Sequence, residues 1–176
     1  MKLTLTALTV AATLFAGSAS AFDPDDLQKL KDTFKCAECD LRSANLEDAE
    51  LFRANLEDAE LFRANLAGAN LEGANLRGAN LYEAYLVNTN LKDADLQDAD
   101  LQDANLGGAN LWGTELRGAN LGGADLRSAN LYEAYLVNAN LEGANLEGAN
   151  LSYAMMRGAI LCNTTMPDGS VIYSGC

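Results

Sequence analysis

Leucine recurs every five residues from Leu41 to Leu151 without a break, 23 times, and Met156 and Leu161 continue the register. The same polarity returns around each of these centres. Two residues before the centre stands alanine in 22 of the 25 pentads, the exceptions being Cys39, Thr89 and Thr114. One residue before it stands Asn, Asp or Glu in 21 of 25, and the two residues after it are mostly polar, with glycine often second, as at Gly68, Gly73, Gly78 and Gly118. A period of five suits neither common element. On a helix, five steps of ~100° set each leucine ~140° from the one before, so the leucines scatter around the axis. On a flat strand five is odd, and successive leucines alternate faces. The leucines can share one side only if the chain turns a corner once per pentad. Ala and Leu, two apart, then point inward from one short extended piece, the residue between them points out, and Gly, Ser or Asp sits where the turn needs it. The pattern predicts stacked polygonal coils around one shared core.

The pattern fails at both ends, where terminal repeats need covering. Asp23-Pro24-Asp25-Asp26 is a helix start: a capping Asp, Pro in the first position, then acids at the positive end of the dipole. Leu27, Leu30 and Phe34 follow at i, i+3 and i+7 as one apolar stripe, which predicts a short helix from Asp25 to Lys35 that seals the first coil. Beyond Leu161, Met166-Pro167-Asp168-Gly169 reads as a turn and Val171-Ile172-Tyr173 as a short strand or irregular cover.

Ahead of all this lies an address. Lys2, an apolar run from Leu3 to Ala16, and Ala19 and Ala21 at the small-residue cleavage spacing make a secretory signal peptide, with Phe22 the first mature residue. The run is too short for a membrane span of ~20 residues. Four units result: 1–21 signal peptide, 22–38 N-terminal helical cap, 39–163 repeat and 164–176 C-terminal cap.

Composition narrows the chemistry. Acids outnumber bases 25 to 12, and removing the leader, whose only charge is Lys2, takes the net charge from −13 to −14. That excludes ordinary nucleic-acid binding, which needs basic patches. There is no histidine, which removes Ser-His-Asp and Cys-His catalysis and histidine-ligated metals. No catalytic residue, cofactor or metal site is assigned. Asp93, Asp95, Asp98, Asp100 and Asp103 lack the spacing of a calcium loop and read as a solvated acidic surface. Between Glu47 and Arg63 the acids alternate with Arg53 and Arg63, which suggests mutual pairing.

Runs such as Ala44-Asn45-Leu46-Glu47-Asp48 and Ala79-Asn80-Leu81-Tyr82-Glu83 resemble the A(D/N)LXX motif of the pentapeptide repeat family, over residues 39–163. The resemblance implies an all-β fold, a right-handed quadrilateral β-helix with four pentads per coil, which the short N-terminal capping α-helix read above would close. Residues 20 apart then stack, in about six coils with a height of ~30 Å at ~4.8 Å per strand. With its Cys-x-x-Cys-Asp-Leu approach and Cys-Asn-Thr-Thr-Met-Pro-Asp-Gly exit, the chain is similar to exported pentapeptide repeat proteins of cyanobacteria and chloroplast lumens, which implies a periplasmic or thylakoid-lumen location.

In such a stack Cys36 and Cys39 lie at one end and Cys162 and Cys176 at the other. Pairings between ends would cross the stack, whereas a disulfide needs Cα atoms within ~7 Å. A Cys162–Cys176 bond is expected; Cys36 and Cys39 can be bonded or reduced. Cys39 occupies an inward alanine position, which favours a buried structural role over redox chemistry.

A 20-residue coil also organises the aromatic residues. Phe62 stands 20 before Tyr82, and Trp112 stands 20 before Tyr132, with Tyr153 on the next coil. The segment Leu81–Asn88, which holds Tyr82 and Tyr85, returns at Leu131–Asn138 with Tyr132 and Tyr135. Fifty residues is two and a half coils, so two aromatic ladders are expected on opposite faces. They are either a partner-binding surface or side-chain ladders that stabilise the stack. The function so read is a non-catalytic exported scaffold or protein-interaction module. The alternative, an acidic DNA mimic that inhibits an enzyme such as gyrase, is one that the family resemblance suggests and the signal peptide disfavours.

Overall fold

A computed structural model describes residues 22–173 and Cys176; the leader read from Lys2 to Ala21 lies outside the described residues. The helix α1 spans Pro24–Thr33. Asp23 caps it, its carboxylate accepting the Asp25 N–H at 2.9 Å, and Pro24 occupies the first turn, where its missing N–H costs nothing. Leu27 and Leu30 are buried against the first coil, beside Cys36 and Leu41. The helix ends two residues earlier than the apolar stripe implies. Phe34 is the residue responsible: it adopts a left-handed conformation (φ 56°), returns its N–H to the Leu30 carbonyl, and is turned to solvent. It closes the helix and leaves the buried stripe to the two leucines.

From Lys35 to Thr165 the backbone is a ladder of parallel bridges in which every partner lies 20 residues away, from Lys35↔Asn55 to Asn145↔Thr165. Four pentads therefore make one coil, and the coils stack in register as a β-helix. Each centre from Leu41 to Leu146 donates its N–H up to the next coil, as Leu46 to Asn65 O at 2.7 Å, and the corners close with the N–H three residues on bonded to the centre's carbonyl, as Ala49 to Leu46 O at 3.1 Å. The second residue after the centre is left-handed in all 25 pentads, with φ between 53° and 75°. A four-residue turn with positive φ at its third position is what turns the chain while keeping Ala and Leu inside. Glycine fills this position in ten pentads; Asp, Asn and a few larger residues hold the same conformation in the others.

The leucines from Leu41 to Leu146 and the alanines between them form one continuous core at 8% exposure or less. Each buried leucine contributes about 1.5–3 kcal/mol by leaving water. Thr89 and Thr114, which replace inward alanines, are fully buried and satisfy their hydroxyls on the carbonyls of Leu66 and Leu91 at 2.7 and 2.8 Å. Two short strands, β1 (Thr164–Thr165) and β2 (Val171–Ile172), form an antiparallel hairpin on the last coil. Cys162 is bonded to Cys176, which pins that hairpin, and Cys36 is bonded to Cys39 beneath α1. Peptide mapping by mass spectrometry without reduction should recover these two links; a bond between Cys36 or Cys39 and Cys162 or Cys176 in one chain would contradict a linear stack.

Candidate functional site

With the interior filled, chemistry is confined to the outward residues. The residue before each leucine lies mid-face, and its side chain does two jobs where it is asparagine. Its Oδ1 accepts the N–H two residues on, as Glu47 to Asn45 at 3.2 Å, and so fixes the corner. In ten of these asparagines the Nδ2 also donates to the residue one coil below. On one face this makes an unbroken ladder, Asn150 to Asn130 to Asn110 to Asn90 to Asn70, each step 3.1–3.2 Å, resting on the Glu50 carboxylate at 2.9 Å.

Beside this ladder, at the corner, stand Phe52, Glu72, Lys92, Trp112 and Tyr132, each 20 residues from the next. Trp112 and Tyr132 meet edge to face with centroids 5.5 Å apart, and Tyr132 meets Tyr153 at 5.3 Å. Such pairs are worth about 0.5–1.5 kcal/mol beyond their burial. The cluster is nonetheless accessible: Trp112 is 42% and Tyr153 76% exposed. The Lys92 ammonium lies 5.5 Å from the Trp112 ring and also pairs with Glu72 and Asp93, while the indole N–H donates to Glu133 at 3.3 Å. Asn130 and Asn150 line a shallow recess with Trp112 and Tyr132. The result is an aromatic surface edged by amides and by charges already engaged with one another.

Phe62 and Tyr82 stack on the face two corners away, their rings 5.7 Å apart and nearly parallel. Arg63 lies over Phe62 and bonds to Glu83, which holds the Glu83 carboxyl below its ordinary range; hydrogen bonding to Glu83, and then the Glu83 charge, raise the Tyr82 phenol. Tyr85 and Tyr135 belong to neither cluster. Each sits mid-face in a column of its own, Tyr85 between Asn65 and Asn105, and Tyr135 above Glu115 and under the Arg117 guanidinium at 5.1 Å. Two features escape the sequence reading. Phe52, 48% exposed, shares the Trp112 corner, and Lys92 and Glu133 frame the indole. Counting every outward residue in steps of 20 would have found Phe52 and Lys92.

Three of the eight ion pairs among the described residues cross coils; the others are local, as Arg42 with Asp40 and Arg127 with Asp125. Arg63 reaches Glu83, Arg77 reaches Asp95 and Lys92 reaches Glu72, whereas Arg53 lies over the Phe52 ring and, among the described residues, forms no ion pair. Among the described residues the pairing expected within Glu47–Arg63 does not form: Arg63 turns to Glu83, 20 residues on, and Arg53 to the Phe52 ring. Asp40 and Asp125 are held below the usual carboxylate range by hydrogen bonds from Arg42 and Arg127. Of the aspartate run, Asp93 faces Lys92, Asp95 faces Arg77, and Asp100 accepts from Asn120. Asp26 comes close to Cys36 and Cys39, but those sulfurs are bonded to each other. Ser170 donates to Asp168 at 2.6 Å inside an exposed turn.

Comparison with known proteins gives a consistent picture. The family model described as pentapeptide repeats matches in eight copies over residues 35–66, 54–98, 94–131 and 129–166. A search of curated proteins returns no match. Among solved structures, a pentapeptide repeat protein from the thylakoid lumen of Arabidopsis thaliana is 30% identical, covering 56% of this chain and 68% of its own, with a TM-score of 0.52. Another from the cyanobacterium Cyanothece is 32% identical over 77% of this chain and 92% of its own, at a TM-score of 0.44. HetL from the cyanobacterium Nostoc, involved in heterocyst differentiation regulation, is 33% identical over 78% of each chain, at 0.34. The family and the lumenal structure imply a right-handed coil, and neither indicates a catalytic family. No helix among the described residues is long and apolar enough to cross a membrane.

Proposed function

The chain belongs to the pentapeptide repeat family, and from that premise we infer that it is a non-catalytic protein-interaction module, exported to a periplasm or lumen, that binds a protein partner through the Trp112–Tyr132–Tyr153 corner. The observation that carries this reading is the accessible cluster of three aromatic rings in mutual contact, edged by amides and by charges engaged with one another. The stack does not need an exposed indole to hold its coils, since the backbone ladder and the asparagines do that. Aromatic anchors of this kind often dominate interface energy, at about 2 kcal/mol or more each. Export rests on the leader from Lys2 to Ala21 and on the likeness to the lumenal relative. A DNA-mimic role is disfavoured because arginines and lysines placed between the acids break up a uniform negative field.

The test is a pull-down from the exported compartment with wild type against Trp112→Ser/Tyr132→Ser. Loss of a partner with the melting temperature nearly unchanged is expected. Should the pair only support the stack, the partner stays and stability drops by the ~0.2–1 kcal/mol of a cross-strand pair. Glu142→Gln/Glu147→Gln is the control, on other faces. Loss of binding there alone would move the site to the acidic surface, and retention of the full chain in the cytoplasm would overturn the assigned compartment.

A further inference from the structure

Trp112, Tyr132 and Tyr153 form a rim along one edge of the asparagine ladder, one ring per coil. The ladder beside them is unevenly satisfied. A side-chain amide carries two N–H donors and one acceptor oxygen. Asn90 uses both donors, on Asn70 and on Glu72. Asn110, Asn130 and Asn150 each use one donor on the coil below, and the other has no acceptor among the described residues. Their oxygens are in the opposite state. The Oδ1 of Asn110 accepts from Trp112 N–H and from Asn130, and that of Asn130 accepts from Tyr132 N–H and from Asn150. Next to the exposed rings, this stretch of the face therefore offers donors and has its acceptors filled.

Glu133 lies at the same corner. It accepts the indole N–H and, among the described residues, forms no ion pair, whereas Lys92 at the foot of the rim is held by Glu72 and Asp93.

We propose that the occupant of this corner is a proline-rich segment in the polyproline II conformation, carrying a basic residue that meets Glu133; the proposal rests on the reading of the corner as a protein-binding surface. Spare donors beside filled acceptors call for a backbone with free carbonyls and few N–H groups, and proline supplies the one and lacks the other. A helix has already bonded its carbonyls internally. A strand presents carbonyls along one edge every ~6.6–6.8 Å, out of step with coils ~4.8 Å apart. Polyproline II has no internal hydrogen bonds and repeats every three residues, ~9.3 Å, close to the ~9.6 Å of two coils. Carbonyls three residues apart can thus reach Asn110 and Asn150 together, while proline rings pack between the aromatic rings above the recess that Asn130 and Asn150 line. Charge selects in the same sense: a chain of net charge −13 repels an acidic segment, and Glu133 is left for a cation.

Protein produced from the complete sequence should be titrated, by fluorescence anisotropy, against a labelled oligoproline with an arginine at each end and against an alternating Thr-Val peptide of equal length with the same arginines. The oligoproline should bind at least ~10-fold more tightly. Trp112→Ser/Tyr132→Ser should abolish that binding. Asn150→Asp keeps the oxygen that accepts the Ser152 N–H and replaces the spare donor by an acceptor, so it should weaken an arginine-free oligoproline at least ~10-fold. Glu133→Gln keeps an acceptor for the indole and should weaken only the oligoproline that carries arginines. Equal affinity for the two peptides overturns the proposal, as does binding that survives either Trp112→Ser/Tyr132→Ser or Asn150→Asp. No oligoproline binding, with a partner still captured through Trp112 and Tyr132, overturns this ligand and keeps the protein-binding reading; no oligoproline binding and no such partner overturns both.

Discussion

Leu106→Asp should remove most of the stability of the stack. Leu106 is completely buried, midway along the core, with coils above and below. Truncating a buried leucine to alanine already costs about 2–5 kcal/mol. The aspartate adds a carboxylate with no partner among leucines and alanines, a further penalty of several kcal/mol unless it stays protonated. Against the ~5–15 kcal/mol that ordinarily holds a domain together, chemical denaturation should show little or no folded baseline. Gly107→Ser, the next residue, should shift the midpoint only slightly: a Cβ there would meet only the Asn105 Oδ1 at 3.3 Å and, at ordinary contact distance, the Arg127 carbonyl at 4.0 Å. Comparable losses from the two substitutions would overturn the inside–outside assignment.

The second large effect is expected at a corner. In one column the left-handed residues alternate: Asp58, Gly78, Asp98, Gly118, Asn138, Gly158. Each carboxylate or amide leans over the glycine 20 residues on, and a Cβ at Gly78 would collide with Asp58 Oδ1. Gly78→Ala should therefore cost the left-handed penalty of roughly 1–2 kcal/mol together with ~1–3 kcal/mol of overpacking. In an Asp58→Gly background the collision is gone and only the backbone part remains. Equilibrium unfolding of the four variants gives the coupling directly, expected at ~1–3 kcal/mol. Additive effects would mean that Asp58 simply swings away and that the alternation has no steric basis.

These two cases mark what the sequence makes legible. The interior is plain because a five-residue period with Ala and Leu two apart has one geometric solution, and the same logic places Trp112 near Tyr132 and Phe62 near Tyr82. The glycines stand at turns, yet the reason for glycine at 78 and aspartate at 58 is a contact between coils, absent from any window shorter than 20 residues. Phe34 completes a helical stripe by spacing alone, while its left-handed backbone, set by the need to stop the helix, turns it outward. Phe52 and the Lys92–Trp112–Glu133 arrangement are lost for the same reason as Gly78: the partners are one coil away.

The two periods of the molecule leave different records of change. Gain or loss of a single pentad preserves Ala and Leu in their inward places, so the interior does not register it. Everything on the outside beyond that point rotates by a quarter turn. Only a unit of 20 residues leaves every column where it was. The segments Leu81–Asn88 and Leu131–Asn138 show the consequence: the same eight residues, ten pentads apart, face opposite sides of the stack. A lineage that lengthens such a protein by copying short stretches therefore re-aims its surface without repacking its core, and the lengths of its insertions, in multiples of five or of twenty, reveal whether selection acted on folding alone or on what the outside displays.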